Sequence, residues 1–133
     1  MTSKVIYLGD LRTESEHLQS GSKMITDAPV DNHGKGEAFS PTDTVANALA
    51  TCMLTVMGIK AESLEIDIKG ASAKVTKTMA SEPRRISRID VAILMPATYS
   101  EKQTKILEKT AKTCPVLESL HPEIEKNISF RYS

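Results

Sequence analysis

Cysteine is scarce in this 133-residue chain, with one at position 52 and one at 114. Metal-ligand spacing is missing too. The histidines are His17, His33 and His121, no C-x-x-C or H-x-x-x-H occurs, and a zinc site is therefore not expected. Net charge is absent, since 17 basic and 17 acidic side chains cancel. Nucleic-acid binding needs a basic surface or a clustered basic face. The nearest approach is Arg84, Arg85 and Arg88 in "PRRISR", so no nucleic-acid partner is expected. Long hydrophobic runs are lacking as well: the longest uncharged stretch, Thr44 to Ile59, falls short of the roughly 20 apolar residues that span a bilayer. "MTSKVIYLGD" lacks the apolar centre of a signal peptide. These absences point to a cytoplasmic protein with no membrane partner. In a reducing compartment a structural disulfide is not expected, which leaves the cysteines as inert thiols, a redox pair or part of a metal site.

What is present suits one α+β domain over residues 1–133, with 40% apolar and 26% charged residues. "KVIYLG" (4–9), "LRTESEHLQS" (11–20) and "KMITD" (23–27) read as an antiparallel meander. A loop, "APVDNHGKGEAF" (28–39), follows. Ser40 as N-cap, Pro41 at the first helical position and Asp43 three residues after the cap then predict the start of a long helix. Along it Val45, Leu49, Cys52, Val56 and Ile59 form one apolar stripe, and Ala46, Ala50, Met53 and Met57 a second. Leu54 extends the apolar arc further and leaves the polar side chains Thr44, Asn47, Thr51 and Thr55 on the remaining side. A helix so apolar is normally buried on several sides, which in a short chain implies a second subunit. Period-two patterns predict strands over 64–70, 71–79 and 86–95, with a bulge or turn at Gly70. A helix capped by Ser100 with Gln103 runs to Cys114, a short helix starts at Pro115, and "NISFRYS" reads as the last strand.

Cys52 on an apolar stripe reads as a packed small hydrophobe or as a nucleophile. Cys114, just before Pro115, reads either as an inert residue at the C-terminal end of one helix or as a thiol at or near the N-terminus of the next, where unpaired N–H groups and the dipole favour a thiolate. Together the two permit a sulfenic acid on one thiol to be resolved by the other as a disulfide. A buried thiol needs a nearby cation to ionise, and Arg12, Arg84, Arg85, Arg88 and Arg131 are the arginines available. Leu49, Met53, Met57 and Phe39 read either as packed core or as walls of an apolar substrate pocket.

"FSPTDTVANALATC", "CPVLESLHPEI", "YLGDLRTESEHLQSG" and "ITDAPVDNHGKGEAFSP" together resemble the OsmC/Ohr family of thiol-dependent peroxidases, over essentially the whole chain. The resemblance implies antiparallel sheets packed around a long central helix in an intertwined homodimer. It implies a two-cysteine enzyme that reduces organic hydroperoxides, with Cys52 as the peroxidatic thiol and Cys114 as the resolving one. Arg12 matches the arginine that stabilises the thiolate. No bound cofactor is implied; an external dithiol serves as reductant, a lipoylated protein in part of the family. Where the family has a glutamate after the helix-start proline, this chain has Thr42, which leaves Asp43 or Glu37 to orient the arginine, or Asp43 to serve the helix cap alone. The alternative is a folded dimer that binds or responds to stress without turnover.

Overall fold

Local signals account for the order of elements in the computed structural model, which describes residues 1–133. Strands β1 (Ser3–Gly9), β2 (Arg12–His17) and β3 (Lys23–Asp27) precede helix α1 (Pro41–Ser63). Strands β4 (Ser72–Ala80) and β5 (Arg85–Met95), helices α2 (Glu101–Ala111) and α3 (Pro115–Ser119), and strand β6 (Glu125–Tyr132) complete the chain. The fold is α+β with two three-stranded sheets. It divides into two compact units, Met1–Val45 and Ala46–Ser133.

In the first unit β1, β2 and β3 form an antiparallel meander. Gly9, Asp10 and Leu11 all take positive φ to turn β1 into β2. Loop 28–39 folds back on the meander: Ala28 N–H donates to the Leu11 carbonyl, Gly36 N–H to the Ala28 carbonyl, and Asp27 N–H to the Phe39 carbonyl. Gly34 is required by this fold, because a Cβ there would sit 1.7 Å from the Ala28 carbonyl oxygen. At the start of α1, Ser40 N–H donates to Asp43 Oδ2 at 3.0 Å and Asp43 N–H donates to Ser40 Oγ at 3.0 Å. This is the reciprocal capping box that the sequence announces.

The second unit holds the hydrophobic core. Ala46, Leu49, Ala50, Met53, Met57 and Ala61 of α1 are buried against Ile89, Val91, Ile93 and Met95 of β5, with Leu107, Ala111 and Cys114 beyond. Burial therefore follows the second sequence stripe, joined by Leu49. Of the first stripe, Val45 and Ile59 are exposed, and Cys52 and Val56 only partly covered. The threonines on the open side turn their hydroxyls back onto their own helix: Thr51 Oγ1 donates to the Ala48 carbonyl and Thr55 Oγ1 to that of Thr51. With 23 residues, α1 is long and apolar enough to cross a bilayer by length and composition. That is longer than the uncharged run had indicated, although six of its side chains belong to the core.

Two expectations change. Residues 64–70 are a helix exit rather than a strand. Glu65 takes a left-handed φ of 57°, Ile66 N–H reaches back to the Ala61 carbonyl, and Glu65 N–H donates to that of Glu62. This paired closure ends α1 with Glu65 in the place usually filled by glycine. The second sheet is mixed rather than antiparallel: β4 pairs antiparallel to β5, but β6 runs parallel to β5. Two helices between β5 and β6 provide the long crossover that parallel pairing requires.

Candidate functional site

The site in the second unit is built from α1 and the junction before α3. Cys52 lies midway along α1, partly exposed and packed against the core edge. Cys114 is the N-cap of α3, 1% exposed, with extended backbone angles (φ −68°, ψ 149°) followed by Pro115. Leu117 N–H donates to Cys114 Sγ at 3.4 Å. This places the two cysteines, far apart in sequence, about 3.7 Å from each other. Both are reduced.

The thiolate expected at Cys114 from its helix position does not follow from its surroundings. Burial pushes this thiol above its ordinary pKa; the Leu117 N–H opposes that shift and the neighbouring Cys52 adds to it. A helix of five residues supplies few free N–H groups and little dipole, and desolvation outweighs them. The pair is thus asymmetric: one partly open thiol, and one buried thiol that holds its proton.

In the first unit Arg12 is clamped by carboxylates. Its Nε–H donates to Asp27 Oδ1 at 2.7 Å and its Nη2 to Asp27 Oδ2 at 2.8 Å. Nη2 also donates to Glu37 Oε2 at 3.3 Å. Asp27 is 1% exposed, and its Oδ2 accepts a further bond from Glu37 N–H at 3.2 Å. The hydrogen bonds from Arg12 hold the Asp27 carboxyl below the usual carboxylate range against the opposing effect of burial, and the carboxylates raise the guanidinium pKa in turn. Asp27 was not singled out from the sequence. Its only local sign is an acidic residue at the end of "KMITD", where the alternation offers no reason to bury a charge. Of the two carboxylates expected beside Arg12, Glu37 makes one long bond, while Asp43 bonds the Ser40 backbone in the helix cap.

Leu49, Met53 and Met57 are fully buried in the core of the second unit, whereas Phe39 in the first is half exposed. An open cavity of about 320 Å³ lies near the end of α1, lined by Leu54, Gly58, Ala61, Ile66, Ile68 and neighbouring polar residues, and it includes neither cysteine. No group of three or more His, Cys, Asp or Glu side chains is arranged to hold a metal ion.

Comparison with known proteins places these features in context. The sequence profile described as OsmC-like protein matches residues 34–129. A crystal structure of a candidate osmotic stress induced and detoxification response protein from Psychrobacter arcticus is 56% identical, with a TM-score of 0.96 over 98% of this chain and 96% of that one. An organic hydroperoxide resistance protein OsmC from Legionella pneumophila superposes with a TM-score of 0.75 at 16% identity, covering 98% and 96% of the two chains. A candidate organic hydroperoxide resistance protein from Vibrio cholerae, with captopril bound in one of its active sites, gives 0.75 at 15% identity, covering 98% and 91%. At such identities the last two share the fold. No curated protein matches the chain.

Proposed function

The chain belongs to the OsmC-like protein family, and from that premise we propose that it reduces organic hydroperoxides through Cys52 and Cys114. Family membership and the likeness to hydroperoxide resistance proteins support a stress-related redox role. The observation that carries the finer reading is the close approach of a partly open and a buried thiol, about 3.7 Å apart.

In the proposed cycle the Cys52 thiolate attacks the terminal oxygen of the hydroperoxide. An S–O bond forms, the O–O bond breaks, and the alkoxide leaves with the bonding pair and takes a proton from solvent, yielding an alcohol and a sulfenic acid. Cys114 loses its proton and attacks the Cys52 sulfur; an S–S bond forms and water departs. An external dithiol, a lipoylated protein among the choices, reduces that disulfide through a mixed disulfide and is itself oxidised. The reading assigns Arg12 to the negative charge that develops in the first step. It also takes the protein to be a cytoplasmic homodimer. A second copy would cover apolar side chains now open to solvent, among them Val5 and Tyr7 of β1 and Ile59 of α1, which is 65% exposed.

Purified protein with dithiothreitol should consume tert-butyl hydroperoxide, Cys52→Ser should abolish that consumption, and mass spectrometry should find a Cys52–Cys114 disulfide within one chain. An inert wild-type protein, or a Cys52→Ser variant of unchanged rate, overturns the reading. The non-catalytic alternative then gains from an absence of the disulfide after mild peroxide treatment.

A further inference from the structure

The carboxylates around Arg12 are unequal, and the inequality assigns them different work. A guanidinium has five N–H donors. Here three are engaged: the one on Nε and one of Nη2 by Asp27, and the second of Nη2 by Glu37. Nη1 makes no hydrogen bond, so one edge of the group remains available to an anion. Asp27 grips the opposite edge with two short parallel bonds, the geometry that fixes a guanidinium in both position and plane. Glu37, with a side chain 66% exposed and one bond of 3.3 Å, fixes neither.

The surroundings hold Asp27 itself in place. Its N–H donates to the Phe39 carbonyl, its Oδ2 accepts from Glu37 N–H, and its position at the last residue of β3 puts it opposite Arg12 in register. The clamp is therefore part of the β2–β3 ladder. Loss of Glu37 would leave Arg12 with both bonds to Asp27, whereas loss of Asp27 would leave one long bond to an exposed side chain.

We infer that Asp27, in place of the carboxylate at the helix start, is the positioning residue for Arg12, holding its Nη1 edge free for the charge that develops in peroxide reduction. This inference rests on the proposed peroxidase reading and names a residue which that reading does not. Asp27 acts only through Arg12, and the test follows from that dependence.

The assay is dithiothreitol-coupled consumption of tert-butyl hydroperoxide by the full chain, read as kcat/KM for wild type, Asp27→Asn, Arg12→Lys and the double variant. Misplacement of a catalytic group by about 1 Å costs up to about 100-fold, so Asp27→Asn should lose about 10- to 100-fold in the Arg12 background. In the Arg12→Lys background, where the two-point grip no longer exists, the same change should cost less than about twofold. A structural role would cost the same factor in both backgrounds, and that result overturns the inference; so does Asp27→Asn at the wild-type rate. If Asp27→Asn fails to fold by far-ultraviolet circular dichroism, Asp27→Glu, which keeps the charge but displaces it by one methylene, replaces it under the same two criteria. An active wild type that is insensitive to Asp27 defeats this inference alone; an inert wild type defeats the peroxidase reading and this inference with it.

Discussion

Oxidation of the two thiols by one equivalent of hydroperoxide should join Cys52 to Cys114 and stabilise the chain measurably. The cysteines are about 60 residues apart in sequence, and closing a loop of that length removes unfolded-state entropy equivalent to about 4 kcal/mol. Against this stands the work of closure. The cysteines start about 3.7 Å apart, close enough for side-chain rotation to bring the sulfurs to bonding distance. Cys52 is only partly covered, which leaves its side chain room to turn. Cys114 would give up a single 3.4 Å bond from Leu117 N–H, and a neutral hydrogen bond contributes about 1 kcal/mol or less. The net gain is therefore about 3 kcal/mol, which for a chain of this size raises Tm by roughly 10 °C. Thermal unfolding of the reduced and oxidised forms, followed by circular dichroism with the disulfide verified by mass spectrometry, measures the shift. An oxidised form with the intrachain bond but a Tm equal to or below that of the reduced form would refute the reasoning, since it would mean that the native backbone does not accommodate closure. Disulfides formed only between chains would refute it in another way.

At pH 8, iodoacetamide should label Cys52 well before Cys114, because burial both shields Cys114 and raises its pKa; peptide mapping that finds equal labelling contradicts the asymmetry. Truncating Leu49, which is fully buried, to alanine should cost about 2–5 kcal/mol in urea unfolding, and a loss under 1 kcal/mol would mean that this stripe is not core. The Asp90 carboxyl is lowered from 3.8 to about 2 by its bonds from Arg88 and then Asn127. A group with a lowered folded pKa contributes stability above pH 3.8 that drains away as pH falls toward 2. Asp90→Asn should accordingly flatten part of the fall in urea midpoint between those values, and an unchanged fall removes Asp90 from the account.

Much of this architecture was legible because it rests on local rules. Ser40, Pro41 and Asp43 state a capping box in the sequence, and the backbone forms it. Ser100 and Gln103 do the same for α2. What could not be read depended on partners distant in sequence. Alternation across 64–70 matches a strand, but a left-handed Glu65 consumes those residues in closing α1. The parallel pairing of β6 with β5 leaves no mark on either strand, since the alternation is alike for both directions. Asp27 escaped notice for a similar reason. A buried charge is tolerable only when paired, and its pair is Arg12, across a strand register that no local pattern specifies.

Both stripes of α1 were apolar in sequence, yet they meet different fates. A helix buries the stripe whose small residues let its backbone approach the sheet, and Ala46, Ala50 and Ala61 lie on that side beside the adaptable Met53 and Met57. Branched residues Val45, Val56 and Ile59 stay on the more open side. Cys52 shares this more open side, so the packing that removes alanine and methionine from water leaves its thiol partly exposed. A cysteine at position 53 would have been sealed in the core, where Met53 has no exposure. The one-residue offset between the stripes, rather than any property of cysteine itself, separates a sealed position from a partly open one.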